Sequence, residues 1–571
     1  MNEINTQMAG AEERWTFLGS DNPWKQRADG VILPPIWAIL GEADAPLYFK
    51  TYASYADDLT REDYAFLSSA ILGDLDLSVD FQIRSGSVTN MGVGIRAQDS
   101  RSMYCVIVED MGRKGYSFGV TLWMQDGTGL RRLIGSGIVP HPETPDRIRQ
   151  TGARNDEDWI ASSHGWSTLR VRAQGPQIEV LIDDKPALEC QDNTYATGAV
   201  ALMARWAIPF KDLKLSGVAA TLSRPWRTVP GQAPDYCQPF DGRLGAYEAY
   251  PAVTQDANGK IYVVSNVGEE GFDERGIEIV NSTDGGKTWT DPRRFDDLGR
   301  YAKPGQKHEM AGHSPSLYVH RDGRLSCFFR YRISTSEPEM IGVAESHDDG
   351  QTWSEARELI VSGTPVSKLT TSGQICLYSP VLRLKDGTLL ICGYHYDAIR
   401  GGNMESNAER RDRSVIFRST DDGETWAGPH YLSEDNFDHN ECMIAELPDG
   451  RLKAFMRTLS APTMWTSSSH DQGLTWSPLE QSGVAAECPC LLSHSSGTVL
   501  LGSRGSGVYI NVTRDAGQTW QVFRIAPASG MMGMVELSDG RILIVYHTGY
   551  RCPGRIRAQL LLVTPTGLEL A

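Results

Sequence analysis

The chain has 571 residues, a formal net charge of −17, 40% hydrophobic and 22% charged residues. That balance is globular and excludes a disordered or collagen-like chain, while the acidic excess argues against a general nucleic-acid binder. No apolar run approaches the ~20 residues of a membrane helix, and Met1-Asn-Glu-Ile-Asn-Thr-Gln7 lacks the basic and apolar regions of a secretory signal, so a cytoplasmic protein without membrane contact is expected.

In chain order, the first 215 residues show alternating strands: Leu75 to Ile83, Thr168 to Arg172 and Gln177 to Ile182, with more strand from Gly198 to Leu215. Period-two alternation places one face of each strand on a core, as in a β-sandwich. This segment resembles the concanavalin-like jelly rolls attached to many carbohydrate-active enzymes. Asn155 to Trp166 reads as a loop insertion. Pro225, Pro230 and Pro234 punctuate the segment Ser216 to Gln238, where the boundary is expected.

The second part repeats. Ser282-Thr-Asp-Gly-Gly-Lys-Thr-Trp289 recurs at Ser346 to Trp353, Ser419 to Trp426 and Ser469 to Trp476, and with Thr in first place at Thr513 to Trp520. The motif is a turn: Asp accepts backbone N–H bonds across a tight loop, Gly takes a positive φ, and Trp packs between units. Offset from it are six hairpin turns, Asn258-Gly259, Asp322-Gly323, Asp386-Gly387, Asp449-Gly450, Ser496-Gly497 and Asp539-Gly540. Such pairs between apolar runs are strong hairpin signals. Together they predict an all-β chain: a six-bladed β-propeller over 225–571, preceded by a jelly-roll β-sandwich over 1–220. A strand from Asp235 to Phe240 is expected to complete the last blade.

Ten cysteines are scattered without a CxxC pair, and Cys488-Pro489-Cys490 is too tight for an ordinary zinc knuckle. No metal or cofactor is expected.

Aligning the units puts Ala249, His313, Tyr378, Asn440, Glu487 and Met531 in equivalent places where the innermost strands begin, near the axial mouth. Three of these six are ionisable, and Glu441 adjoins a fourth. Such convergence is what a catalytic pocket requires. His308, His395, Glu248 and Arg330 are further candidates near that mouth.

The five turn motifs and the blade count resemble the sialidase superfamily, over about Pro225 to Ala571. The resemblance implies a site of arginines on a carboxylate, an acid/base Asp, and a Tyr nucleophile assisted by Glu. On Asn440-Glu441-Cys442, Glu446 to Gly450 and Met456-Arg457 it implies Glu441 as the carboxylate beside the nucleophile and Arg457 as one arginine. It further implies Arg504 as another arginine and Asp273, in Phe272 to Arg275, as the acid/base. Two matches fail: Ala249-Tyr250-Pro251 replaces the blade-one arginine motif, and Met531 stands where the Tyr is expected. A Met can neither attack an anomeric carbon nor donate a proton, so an ordinary sialidase is not expected.

The expected activity is an exo-acting glycoside hydrolase on an acidic or non-sialic sugar. Arg457, Arg504 and Asn440 would bind the glycan, and two of Asp273, Glu441 and Glu487 would act as acid and as base or nucleophile. Besides a sialidase with shifted registers, two other readings stay open. One is a uronate-directed lyase using His313 and Tyr378 as base and acid; the other is a non-catalytic glycan-binding protein. Oligomeric state is left open.

Overall fold

A computed structural model describes residues 2–6, 14–18, 24–26, 28, 31–33, 63–82, 90–110, 117–128, 130–140, 166–205, 208–229, 247–269, 273–295, 311–331, 340–370, 374–398, 410–434, 438–458, 463–484, 486–504, 507–526, 530–547 and 556–571. The chain is all-β; among the described residues the one named helix is the 3-10 turn Val366–Lys368. It forms two compact units: 1–232 with 523–527, and 233–522 with 528–571.

The first unit is organised on one long strand, Asp63–Phe81. It pairs antiparallel with Ser167–Gln174, Gly198–Arg205 and Phe210–Ala219. Leu75, Leu77, Val79 and Phe81 alternate inward, each at most 1% exposed, onto Leu169, Val171 and Phe210. The alternation in the sequence thus marks the core face. Strands Asn90–Ala97, Ser102–Asp110, Ser117–Asp126 and Arg131–Pro140 follow as an antiparallel meander. The expected strand over Gly198 to Leu215 is two strands, Gly198–Arg205 and Phe210–Ala219. The proposed loop at Asn155 lies outside the described residues up to 165.

The second unit has a β-propeller arrangement. Five separate antiparallel sheets are led by Tyr247–Gln255, Ala311–Val319, Gln374–Leu377, Asn440–Glu446 and Met532–Glu536. Between the last two, Glu487–Ser493, Val499–Arg504 and Val508–Thr513 pair in the same hairpin order. Neighbouring sheets touch in sequence, and the strand Tyr247–Gln255 meets Met532–Glu536, which closes the ring.

The repeated turns act as the sequence implies. In the first, Asp284 Oδ1 accepts from the Thr288 amide at 3.0 Å and Oδ2 from the Thr288 hydroxyl at 2.6 Å, while the Gly286 amide donates to Ser282 Oγ at 2.9 Å. The same bonds recur around Asp348, Asp421, Asp471 and Asp515. The Trp residues pack on the preceding sheet: Trp353 stacks on Phe295 at 4.1 Å, Trp426 meets Phe328 edge-on at 5.9 Å, and Trp520 meets Phe455 at 5.6 Å.

One expectation is corrected. The last sheet takes its fourth strand, Gly567–Leu570, from the hairpin that follows Ile556–Thr564. The chain returns across the short turn Pro565-Thr566, with Thr564 paired to Gly567. Among the described residues all four strands of this sheet come from the final segment; Asp235 to Phe240 lie outside the described residues.

Candidate active site at the propeller mouth

The leading strands carry an irregularity at equivalent places. The ladder shifts register between Ala249 and Ala252, His313 and Ser316, Asn440 and Cys442, and Glu487 and Cys490. In each, the residue after the aligned one has a positive φ: Tyr250 (51°), Ser314 (52°), Glu441 (28°) and Cys488 (50°). These are β-bulges, which re-aim side chains at the end of a sheet. Four of the six aligned positions read from the sequence are therefore bulge sites.

A second row stands opposite. Across the ladder, Ala249 faces Asn266, His313 faces Arg330, Asn440 faces Arg457 and Glu487 faces Arg504. His547 donates its backbone N–H to Met531 O at 3.2 Å and takes the same place in the last sheet. In the third sheet Tyr394 occupies that row and packs with Cys376 and Tyr378.

The charged centre spans the fourth and fifth sheets. Arg457 Nη1 donates to Glu441 Oε2 at 2.9 Å, and its Nη2 lies 3.8 Å from Glu487 Oε2. Arg504 Nη2 also lies 3.8 Å from Glu487 Oε2. The side chains of Glu441, Arg457 and Arg504 are 13%, 18% and 12% exposed, against 42% for Glu487. Burial pushes the Glu441 carboxyl upward, but the Arg457 and Arg504 charges outweigh it and hold it below its ordinary value. Glu441 in turn raises the Arg457 guanidinium well above its own range, against the opposing effect of burial.

Cys488 completes this centre and was not anticipated as part of it. Arg457 Nη1 also reaches Cys488 Sγ at 3.9 Å, and the thiol hydrogen-bonds Glu441. Burial pushes Cys488 up to about 12 despite the nearby Arg504, so it remains a neutral donor. Among the described residues no group of three His, Cys, Asp or Glu side chains is arranged to hold a metal ion.

Tyr378 joins the same cluster. Its hydroxyl donates to Pro489 O at 3.0 Å. Burial, then the Glu441 charge, keeps the phenol protonated well above its usual range. Asn440 is 2% exposed, and its Nδ2 donates to the buried Asp412 Oδ2 at 2.7 Å. The amide donor faces the protein interior, so Asn440 supports the bulge beside Glu441. His395 is 7% exposed and lies within reach of Arg413 and Tyr431.

Thus Tyr378, Glu441, Glu487, Arg457 and Arg504 come together. Asp273 begins strand Asp273–Ser282, opposite Glu269, and His313 lies in Ala311–Val319; their side chains fall outside the described set, as does that of Glu248. His308 lies outside the described residues altogether.

The closed ring of antiparallel sheets with its Asp-centred turns defines a β-propeller arrangement. Residues 300–487 match the family model described as a BNR repeat-like domain. No curated protein matches the chain. Solved structures that resemble it include a protein of unknown function from Dyadobacter fermentans, at 18% identity over 60% of this chain and 100% of that one, TM-score 0.47. The NanB sialidase from Streptococcus pneumoniae aligns at 13% identity over 86% and 95%, TM-score 0.43. The α-L-arabinofuranosidase Arb93A from Fusarium graminearum aligns at 15% over 58% and 98%, TM-score 0.44. Likeness of this degree says nothing about the reaction.

Proposed function

We propose that this chain is a carbohydrate-active enzyme: a glycoside hydrolase that removes an acidic or non-sialic sugar from a glycan at the propeller mouth. One observation carries the reading. Two carboxylates in unlike surroundings, Glu441 and Glu487, share the Arg457 guanidinium. Glycoside hydrolysis uses such a pair, one group stabilising positive charge at the anomeric carbon and the other moving a proton.

Glu441, ionised and fixed, suits the first task, as nucleophile or as electrostatic partner of an oxocarbenium-like centre. Glu487, the more exposed, suits proton exchange with the glycosidic oxygen or water. Arg504 and Arg457 would orient a carboxylate or hydroxyls of the sugar. Asp273 remains a candidate acid at the start of strand Asp273–Ser282 in the first sheet. The tie of the Tyr378 hydroxyl to Pro489 O favours this two-carboxylate scheme over elimination through Tyr378. The two units would be separate domains, 1–220 a jelly-roll sandwich and 225–571 the six-bladed catalytic propeller.

The test is a panel of 4-methylumbelliferyl glycosides and uronides with wild type, Glu487→Gln and Glu441→Gln. Fluorophore release by wild type, lost in both variants, supports the reading. With 4-O-linked uronate oligosaccharides added to the panel, loss of the C5 proton and expulsion of the C4 glycosyl group to give a 4,5-unsaturated product absorbing in the ultraviolet would replace it with the lyase. Glycan binding without turnover would replace it with a lectin-like role.

A further inference from the structure

His547 stands in the same row as Arg457 and Arg504, one sheet further round the ring. It is fully buried, and neither Nδ1 nor Nε2 has a hydrogen-bond partner among the described residues. A neutral imidazole carries one donor and one acceptor. Burying both unpaired costs stability that an apolar ring of similar shape would not. A group that is costly to the fold, in the row that also carries Arg457 and Arg504, points to a partner from outside the chain.

The surroundings are built around this ring. A Cβ on Gly530 would stand 2.3 Å from His547 Cδ2 and 2.6 Å from Nε2, so only glycine leaves the ring its place. On another side lies Tyr250, the half-buried bulge residue with φ 51°, its ring centroid 6.0 Å from the imidazole at 58°. Arg504 is close enough for its charge to act on the ring, which burial already keeps uncharged. The mouth is therefore uneven: ionic at Arg457, Arg504 and Glu487, uncharged at His547, Tyr250 and Met531.

We propose that His547 is a hydroxyl-recognising residue of this site: a sugar ring entering beside Arg504 turns the Tyr250 side chain aside, and the imidazole donates one hydrogen bond and accepts one from adjacent unmodified hydroxyls. Side-chain rotation of this kind needs no change of backbone. The inference rests on the glycan reading above and narrows its substrate class. The preferred sugar has its anionic group toward the arginines and free neighbouring hydroxyls toward the last sheet. A sugar deoxygenated or substituted on that side leaves the imidazole unpaired and is rejected.

The experiment uses the full chain labelled with 15N-histidine, with D-glucuronate, D-galacturonate, D-galactose and L-arabinose as probes. The His547 signals are identified by their loss in His547→Phe. At least one sugar shifts them, and its binding is lost in Arg504→Gln. His547→Phe holds or raises the melting temperature, yet binds that sugar at least tenfold more weakly. The inference is overturned if a sugar binds in an Arg504-dependent way while the His547 signals stay still, or if His547→Phe binds it equally well. Should His547→Phe fold poorly, His547→Asn identifies the signals and the wild-type shifts decide. If no sugar in the panel binds, the glycan reading itself fails, and the inference with it; an Arg504-dependent sugar indifferent to His547 removes the inference alone.

Discussion

Arg457 and Glu441 form a bonded ion pair inside the propeller mouth: Nη1 donates to Oε2 at 2.9 Å, from side chains 18% and 13% exposed. The carboxylate sits on a bulge at φ 28° and the guanidinium ends the facing strand, so backbone geometry fixes both partners. A buried pair adds little over apolar packing, yet removing one partner strands the other. Glu441→Ala should destabilise the propeller by about 3–5 kcal/mol, the range for such breakage. Denaturant unfolding measures it, and Glu441→Ala combined with Arg457→Met should recover part of the loss.

Glu487 should behave oppositely. Its carboxylate is 42% exposed and only 3.8 Å at nearest from either arginine. Contacts that loose and that exposed are worth little. Glu487→Gln should leave stability within about 0.5 kcal/mol while lowering glycoside turnover by about 10²- to 10⁴-fold, the size of a general acid–base contribution. Paired melting and rate measurements would separate the effects; a stability loss matching the rate loss would make Glu487 a scaffold residue.

The Asp-centred turns predict an acid limit. Asp284, Asp348 and Asp515 are held at about 2, against an ordinary 3.8, chiefly by the hydroxyls and amides of Thr288, Thr352 and Thr519. Asp471 is brought equally low by Thr475 against the push of burial. Stability from these groups is full above about pH 4 and is lost as pH falls through 2, because the unfolded chain takes up protons first. Replacing Thr288, Thr352 and Thr519 by Val should lower the melting temperature at pH 7 and flatten its fall between pH 4 and 2.

His547 acts in a higher window. Burial, helped by Arg504, presses it to about 3 from 6.5. The unfolded imidazole therefore protonates first, and stability drops as pH goes from about 6.5 toward 3. His547→Phe should remove that slope and leave the aspartate-driven fall below pH 4 in place. A wild-type melting curve flat from pH 7 to 4 would count against this assignment.

Gly530 offers a steric test. Its added Cβ would also meet His547 O at 2.2 Å. Gly530→Ala should cost about 1–3 kcal/mol, as overpacking does, and disturb the imidazole while leaving the Glu441–Arg457 pair intact. Thermal melting with histidine NMR checks both parts.

The propeller arrangement was legible because its information is local. Ser-x-Asp-x-Gly-x-Thr-Trp closes its own turn, and each hairpin needs only a two-residue signal, so the sheets could be counted without a distant contact. The first row of the mouth was legible for the same reason, through alignment on those turns. The second row was only half seen. Asn266, Arg330, Tyr394, Arg457, Arg504 and His547 each stand eight positions after the first residue of their hairpin turn, at 258, 322, 386, 449, 496 and 539. Attention to arginine alone passed over Asn266, Tyr394 and His547. Cys488 was hidden because a neutral thiol carries no charge pattern. The role of Asn440 was hidden because its partner Asp412 lies 28 residues away.

The last sheet draws all four strands from the final segment, Met532 to Leu570. The ring therefore has a seam. Among the described residues no strand is shared between its two ends. The joint is held by Val253, Val263 and Val280 against Leu537, Leu543 and Val545, with the Ser538 amide on Gln255 Oε1 at 3.0 Å. A propeller latched this way should part first at that joint. Amide exchange on Tyr247–Gln255 and Met532–Glu536 would then precede exchange on the inner strands elsewhere, and the hydroxyl side of the mouth, at His547, would loosen before its ionic side.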